Sequence, residues 1–197
     1  MKDHSEAHKQ GRIMYYVLES ELLELVTHLV YQKDDGFGLS FLKGGILPQN
    51  ITSGDLYVEV ESNAVDLPDY LEVDSVPLVN QKFLNVLIDS GVNNYQSFPV
   101  EVRFEDSVVK DRFIINVVGR IQCVDMDNTD FSKFGPVIAR IFSLKLNLPD
   151  GVPDIFRADE YQDIIFISEK LKDKIMENMI TGCELRQADG WNDAHRF

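Results

Sequence analysis

Two stretches of this chain carry the same local signal, and together they dictate much of what it can fold into. Pro77-Leu78-Val79 is a short apolar run closed by Asn80, and Ile165-Phe166-Ile167 is one closed by Ser168. Asn and Ser side chains accept hydrogen bonds from the unpaired amides of a helix start, so each predicts an N-cap. Gln81 to about Asp89 then brings Phe83, Val86 and Leu87 to one helical face. Glu169 to about Asn178 does the same with Leu171, Ile175 and Met176. Glu169 adds a negative charge at the positive end of its helix. Ser90-Gly91 and Thr181-Gly182 stop the helices, and Phe98–Phe104 and Cys183–Leu185 follow as strands. Aligned, Leu78–Phe83 falls on Phe166–Leu171, and Leu87 falls on Ile175. Two copies are too few to stack as a solenoid, so the pattern reads as a structural pseudo-repeat of two strand–helix–strand units.

The rest of the chain is mostly strand. Met14–Leu18, Leu56–Val60, Val137–Leu146 and Asp154–Arg157 read as strands. Phe113–Val124 reads as one long strand pairing antiparallel with Phe98–Phe104 across a turn at Asp106–Asp111. Leu22, Leu25, Val26, Leu29 and Val30 recur at helical spacing and predict an amphipathic helix over 20–32, ended by a loop at Asp34–Gly38. Strands outnumber helices and cluster in runs. The expected fold class is therefore α+β, a mixed and largely antiparallel sheet with a few packed helices. The expected organisation is a flexible N-terminal arm over 1–13, one domain over 14–187 and a C-terminal tail over 188–197. At 44% hydrophobic residues the chain can build a core. A domain of this size buries roughly 70% of its unfolded surface, and needs neither metal nor disulfide to do so.

Charge narrows the partners. The net charge is −14, from 33 acidic against 19 basic side chains. Such a surface repels nucleic acid, whose affinity comes from phosphate neutralisation, and anionic membranes. It favours a basic protein. Cys123 and Cys183 sit in apolar, strand-like runs with no metal-site spacing, and read as reduced thiols of a cytoplasmic protein. Met1–Ile13 is too polar for a secretory signal. The apolar run Glu21–Tyr31 is too short to span a bilayer.

Catalytic signals are weak. Asp125-Met126-Asp127-Asn128-Thr129 follows an apolar strand in the D-x-D-x-T pattern of haloacid-dehalogenase-type phosphatases, where one Asp attacks phosphorus and the next protonates the leaving group. That chemistry also needs Mg²⁺, a lysine and a doubly wound sheet with the motif on an early strand. Here no βαβ alternation precedes it, so a phosphatase using Asp125 and Asp127 is the alternative reading. With Asp130 the same stretch could offer Ca²⁺ ligands. Pro136 stands where an EF-hand needs its bidentate Glu, so no designed metal site is expected. His4, His8, His28 and His195 lie beside no candidate nucleophile, and no glycine-rich phosphate loop is flanked by strand and helix. No catalytic residue, metal or cofactor is therefore predicted.

Two acidic connections studded with aromatics remain as a candidate binding surface. One holds Asp66, Asp69, Tyr70, Glu72 and Asp74. The other holds Phe156, Asp159, Glu160, Tyr161 and Asp163, next to Asp154. In order along the chain, Pro77–Phe83, Phe98–Val102, Phe113–Val118 leading to Val124-Asp125, Asp154–Arg157, Ile165–Leu171 and Thr181–Glu184 resemble a bacterial α+β family of immunity proteins from polymorphic toxin systems. The resemblance covers about residues 66–187. It implies a non-enzymatic protein that binds and neutralises a cognate toxin domain, and it carries over no catalytic residue. Ile167-Ser168-Glu169 is its most recognisable piece and reads as a helix cap. An adaptor module whose partner is not a toxin is the remaining alternative.

Overall fold

The computed structural model describes residues 14–21, 27–31, 41–52, 54–63 and 65–195. Over the described residues the fold is α+β, with strands in mostly antiparallel sheets and two packed helices. The strands are β1 (Tyr15–Ser20), β2 (Thr27–Tyr31), β3 (Leu56–Val60), β4 (Tyr70–Val73), β5 (Val76–Asn80), β6 (Tyr95–Arg103), β7 (Val108–Val117), β8 (Arg120–Ile121), β9 (Asp130–Phe134), β10 (Val137–Ser143), β11 (Ile155–Ala158), β12 (Ile165–Ser168) and β13 (Cys183–Gln187). The helices are α1 (Gln81–Asp89) and α2 (Glu169–Glu177). Among the described residues no helix is long and apolar enough to cross a membrane.

Both strand–helix–strand units form, and they share a topology. In the six-stranded sheet, ordered β2-β3-β6-β7-β5-β4, strand β7 lies between β5 and β6 and runs antiparallel to both. In the five-stranded sheet, ordered β13-β1-β12-β11-β8, strand β1 lies in the same way between β12 and β13. The outer strands β4 and β11 pair antiparallel with β5 and β12. The central strand follows its unit by a hairpin in the first copy and comes from the N-terminal end of the chain in the second.

The two sheets share a core. Tyr70, Val79, Ile115 and Val117 from one, and Leu18, Ile155, Ile165 and Ile167 from the other, pack around Phe83, Leu84, Val86 and Leu87 of α1 and Leu171 and Ile175 of α2. A second core, with Phe41, Leu47 and Ile51, covers the far face of the six-stranded sheet. A third, with Ile138, Ile141 and Trp191, covers the far face of the five-stranded sheet. Strands β5 and β12 are thus buried on both faces, which is why they read as unbroken apolar runs.

A buried cation ties the sheets. Arg157 on β11 is fully buried; its Nη2 donates to Ser75 O at 2.9 Å and its Nη1 to Gln162 O at 2.8 Å. Ser75 belongs to the tight β4–β5 turn, where Asp74 and Ser75 both adopt left-handed φ (51° and 62°). Beside it Tyr70 Oη donates to Glu72 Oε1 at 3.0 Å. Burial first, and the Glu72 carboxylate second, hold the Tyr70 phenol protonated far above its usual range, with Arg157 pulling the other way.

Several expectations are corrected. The helix over 20–32 does not form: Ser20 ends β1, and Thr27–Tyr31 is a strand paired with β3, while 22–26 lie outside the described residues. Leu29 and Tyr31 pack on a core with a period of two, and Thr27, Val30 and Tyr31 are strand formers. The 1–13 arm and the Asp34–Gly38 loop also lie outside the described residues. The single strand over Phe113–Val124 breaks at Gly119, whose φ of +93° turns the chain out of the first sheet so that β8 joins the second. Strands β4 and β9 were not foreseen. Met176 points outward at 65% exposure. The C-terminal stretch is no tail as far as 195. Trp191 is buried and donates to Glu19 Oε2 at 2.9 Å, and the buried Asp193 accepts from Ile141 N at 2.9 Å.

With one core shared by both units and Trp191 in a core on the second sheet, the chain is expected to unfold in a single urea transition, with far-ultraviolet dichroism and Trp191 fluorescence superimposing. Arg157→Met keeps the volume but leaves the Ser75 and Gln162 carbonyls without their donor. It is expected to lower stability by about 3 kcal/mol in the same experiment.

Candidate functional site

The acidic connections fall at the junction of the two units, where each supplies one half of a reciprocal clasp. Asn80 Oδ1 caps α1 by accepting from Phe83 N at 3.1 Å, and its Nδ2 donates to Asp69 Oδ1 at 2.7 Å. Asp69 Oδ2 accepts from Lys82 Nζ at 2.8 Å, and Lys82 also donates to Met179 O, just past the C-terminus of α2, at 2.8 Å. The second unit repeats this. Ser168 Oγ caps α2 by accepting from Leu171 N at 3.2 Å and donates to Asp154 Oδ1 at 2.6 Å. Asp154 Oδ2 accepts from Lys170 Nζ at 2.9 Å, and Lys170 donates to Ser90 O at the C-terminus of α1, also at 2.9 Å. Each helix start thus sends a lysine to the other helix's negative end, which sets α1 and α2 side by side and antiparallel.

Asp69 is the more tightly held aspartate. It also accepts from Thr181 N at 3.0 Å, while its own amide donates to Thr181 Oγ1 at 3.1 Å. Desolvation pushes its pKa up, but the hydrogen bonds from Lys82, Thr181 and Asn80 outweigh it and bring the value to about 2. Gly182, at φ +84°, completes the seam. A Cβ there would lie 2.2 Å from Tyr70 O and 2.4 Å from the Pro68 side chain, so no other residue fits.

Most of the predicted binding residues serve this junction or its surroundings. Tyr70 and Phe156 are fully buried and present no surface. Glu72 binds the Tyr70 phenol, and Asp74 accepts from Leu29 N at 3.1 Å. Asp159 pairs with Arg120 at 3.2 Å. Glu160 accepts from the amides of Cys123 and Val124 at 3.3 and 3.4 Å. Tyr161 and Asp163 are half-buried, and Asp66 is exposed. The structure brings the two acidic groups to one junction but does not gather them into one open surface. The D-x-D-x-T stretch is a closed turn: Asp125 accepts from the amides of Asp127 and Asn128 and from Asn128 Nδ2, and these bonds lower its pKa. Thr129 Oγ1 is held by the Lys145 backbone. Among the described residues no group of three or more His, Cys, Asp or Glu side chains could hold a metal ion.

A family model described as "Immunity protein family (Imm11)" matches residues 3–190. The chain belongs to the Imm11 immunity protein family. No curated protein matches it. The resemblance read from the ordered motifs is therefore right about the family. Its most recognisable piece, Ile167-Ser168-Glu169, is the cap at the centre of the second clasp.

Two surfaces that this Imm11 chain leaves open among the described residues lie elsewhere. One is the outer face of β2, β3 and β6, where Arg103 stacks on the Tyr57 ring at 3.7 Å. The other is the tip of the β9–β10 hairpin, where Phe134 is 81% exposed beside its cross-strand partner Val137. The first was legible in principle, because Leu56–Val60 and Val100–Arg103 alternate apolar with charged or aromatic residues. The second was not, because β9 carries no clear strand pattern.

Asp69 yields a pH prediction. Its folded pKa is depressed, so the stabilisation is present above the unfolded carboxylate range near pH 4 and is lost as pH falls through about 2. Asp69→Asn is expected to cost about 2 kcal/mol at pH 7. The gap between variant and wild type should shrink steadily as pH falls from about 4 to about 2, which urea midpoints measured from pH 7 down to pH 2 would check.

Proposed function

We propose that this chain binds the toxin domain of a cognate bacterial effector in the cytoplasm and blocks it by occupation, without catalysis. The observation that carries this reading is the family match over 3–190. Three features support it. The net charge of −14 suits a basic toxin and speeds encounter with one. The Asp125 carboxylate is engaged by its own turn, so the one phosphatase-like motif is used to fold the chain. Cys123 and Cys183 are free thiols. Burial pushes the Cys183 thiol up to about 11 and the Cys123 thiol higher still, as suits inert side chains in a reducing compartment.

The test is co-expression with the toxin domain encoded beside this gene. That domain alone should arrest growth. The wild-type chain should restore it, and the purified proteins should form a complex that weakens as salt rises. A toxin that binds the chain with no gain in survival, or a chain that rescues while showing no complex at any salt, contradicts neutralisation by binding.

A further inference from the structure

The six-stranded sheet is covered unequally. One face is packed on a core across all six strands, from Leu29 on β2 to Leu71 on β4. The other is covered over β7, β5 and β4, where Ile115, Val79 and Tyr70 enter the shared core. Tyr95 at the start of β6 also packs on that core, but over β2, β3 and the C-terminal end of β6 no core of the described residues covers this face. The register His28↔Glu59 and Val30↔Tyr57, then Tyr57↔Glu101 and Glu59↔Arg103, puts all six side chains on that face, and none of them is buried.

This face is ordered and acidic. Arg103 lies over the Tyr57 ring and pairs with Glu101 at 3.1 Å, and Lys110 pairs with the same carboxylate at 3.2 Å. Arg103 and Lys110 are therefore both held by one acid. Glu59 is exposed, and Glu61 carries His28 at 3.7 Å. Glu105 donates its amide to Ser62 O at 3.1 Å, which brings the exposed Glu105-Asp106 turn beside the end of β3.

We propose that the toxin domain docks on this bare half of the sheet, with basic side chains against Glu59 and Glu61 and its contact centre on the Tyr57–Arg103 stack. The inference rests on the immunity reading above. Tyr and Arg are the side chains that most often dominate binding energy. Here both are set on paired strands, so little ordering cost remains at association. The surrounding acids steer a basic partner in. The exposed Phe134 hairpin does not suit that partner, because the exposed Lys133 stands next to Phe134 at its tip.

The experiment measures binding kinetics of the purified toxin domain encoded beside this gene, at low and high salt, to four forms of the full chain. Glu59→Lys/Glu61→Lys is expected to slow association about tenfold and flatten its salt dependence. Tyr57→Ala is expected to speed dissociation about tenfold. Phe134→Ser should bind like wild type. All the substituted side chains are exposed or half-buried, and an unchanged urea midpoint checks that each variant is folded. Wild-type kinetics in both sheet variants overturns the proposal and leaves the immunity reading standing, as does loss of binding confined to Phe134→Ser. A wild-type chain that does not bind this toxin domain overturns both.

Discussion

Two lysines hold the fold together by reaching across it. Lys82 and Lys170 occupy equivalent positions, each second in its helix. Each is braced by an aspartate that also holds the helix cap, and each ends on a carbonyl at the other helix's C-terminus. A cation at a helix C-terminus contributes about 0.3–1 kcal/mol, so neither contact is large alone. Their weight lies in geometry. The two clasps fix α1 against α2, and so fix the shared core that both sheets close upon. The match extends to the backbone, where Asn80 N donates to Asp69 O and Ser168 N to Asp154 O at nearly the same distance.

Around that frame, charge serves folding in some places and remains open in others. Arg157, fully buried, crosses from the second sheet to the β4–β5 turn of the first. Breaking such a buried group is costly, because its partners are left without water. Asp69, Asp154, Glu72 and Glu160 are spent in the same way, on caps, lysines, a phenol and backbone amides. The acidic stretch with aromatics is thus engaged, at these residues, in holding the fold together. Tyr70 and Phe156 lie in it because the junction is a core, with Tyr70 packed on Phe83 at 5.3 Å between ring centres.

The sequence revealed what depends on local rules. The caps Asn80 and Ser168, both helices, and most strands lie where propensity and spacing place them. The alignment of Leu78–Phe83 with Phe166–Leu171 already paired Lys82 with Lys170. What it could not show was the contact each lysine makes, since Met179 and Ser90 are far along the chain. Long-range pairing also explains the misreadings. Thr27–Tyr31 has an apolar pattern compatible with either period, and its pairing with β3 decides for strand. Gly119 looks like one glycine in a strand, yet its positive φ moves the chain from one sheet to the other. The open face needed both β3 and β6 in register before Tyr57 and Arg103 could be seen as neighbours.

Membership of the Imm11 family and the separation of folding acids from surface acids support the account we propose: a two-unit body whose acidic sheet face receives a basic toxin. The most direct measurement is a crystal structure of the chain bound to that toxin domain. The account predicts toxin side chains on Tyr57, Glu59, Glu61 and Arg103, with both lysine clasps as they stand in the free chain. A toxin seated on the β9–β10 hairpin, or one that parts α1 from α2 by displacing Lys82 or Lys170, would contradict it.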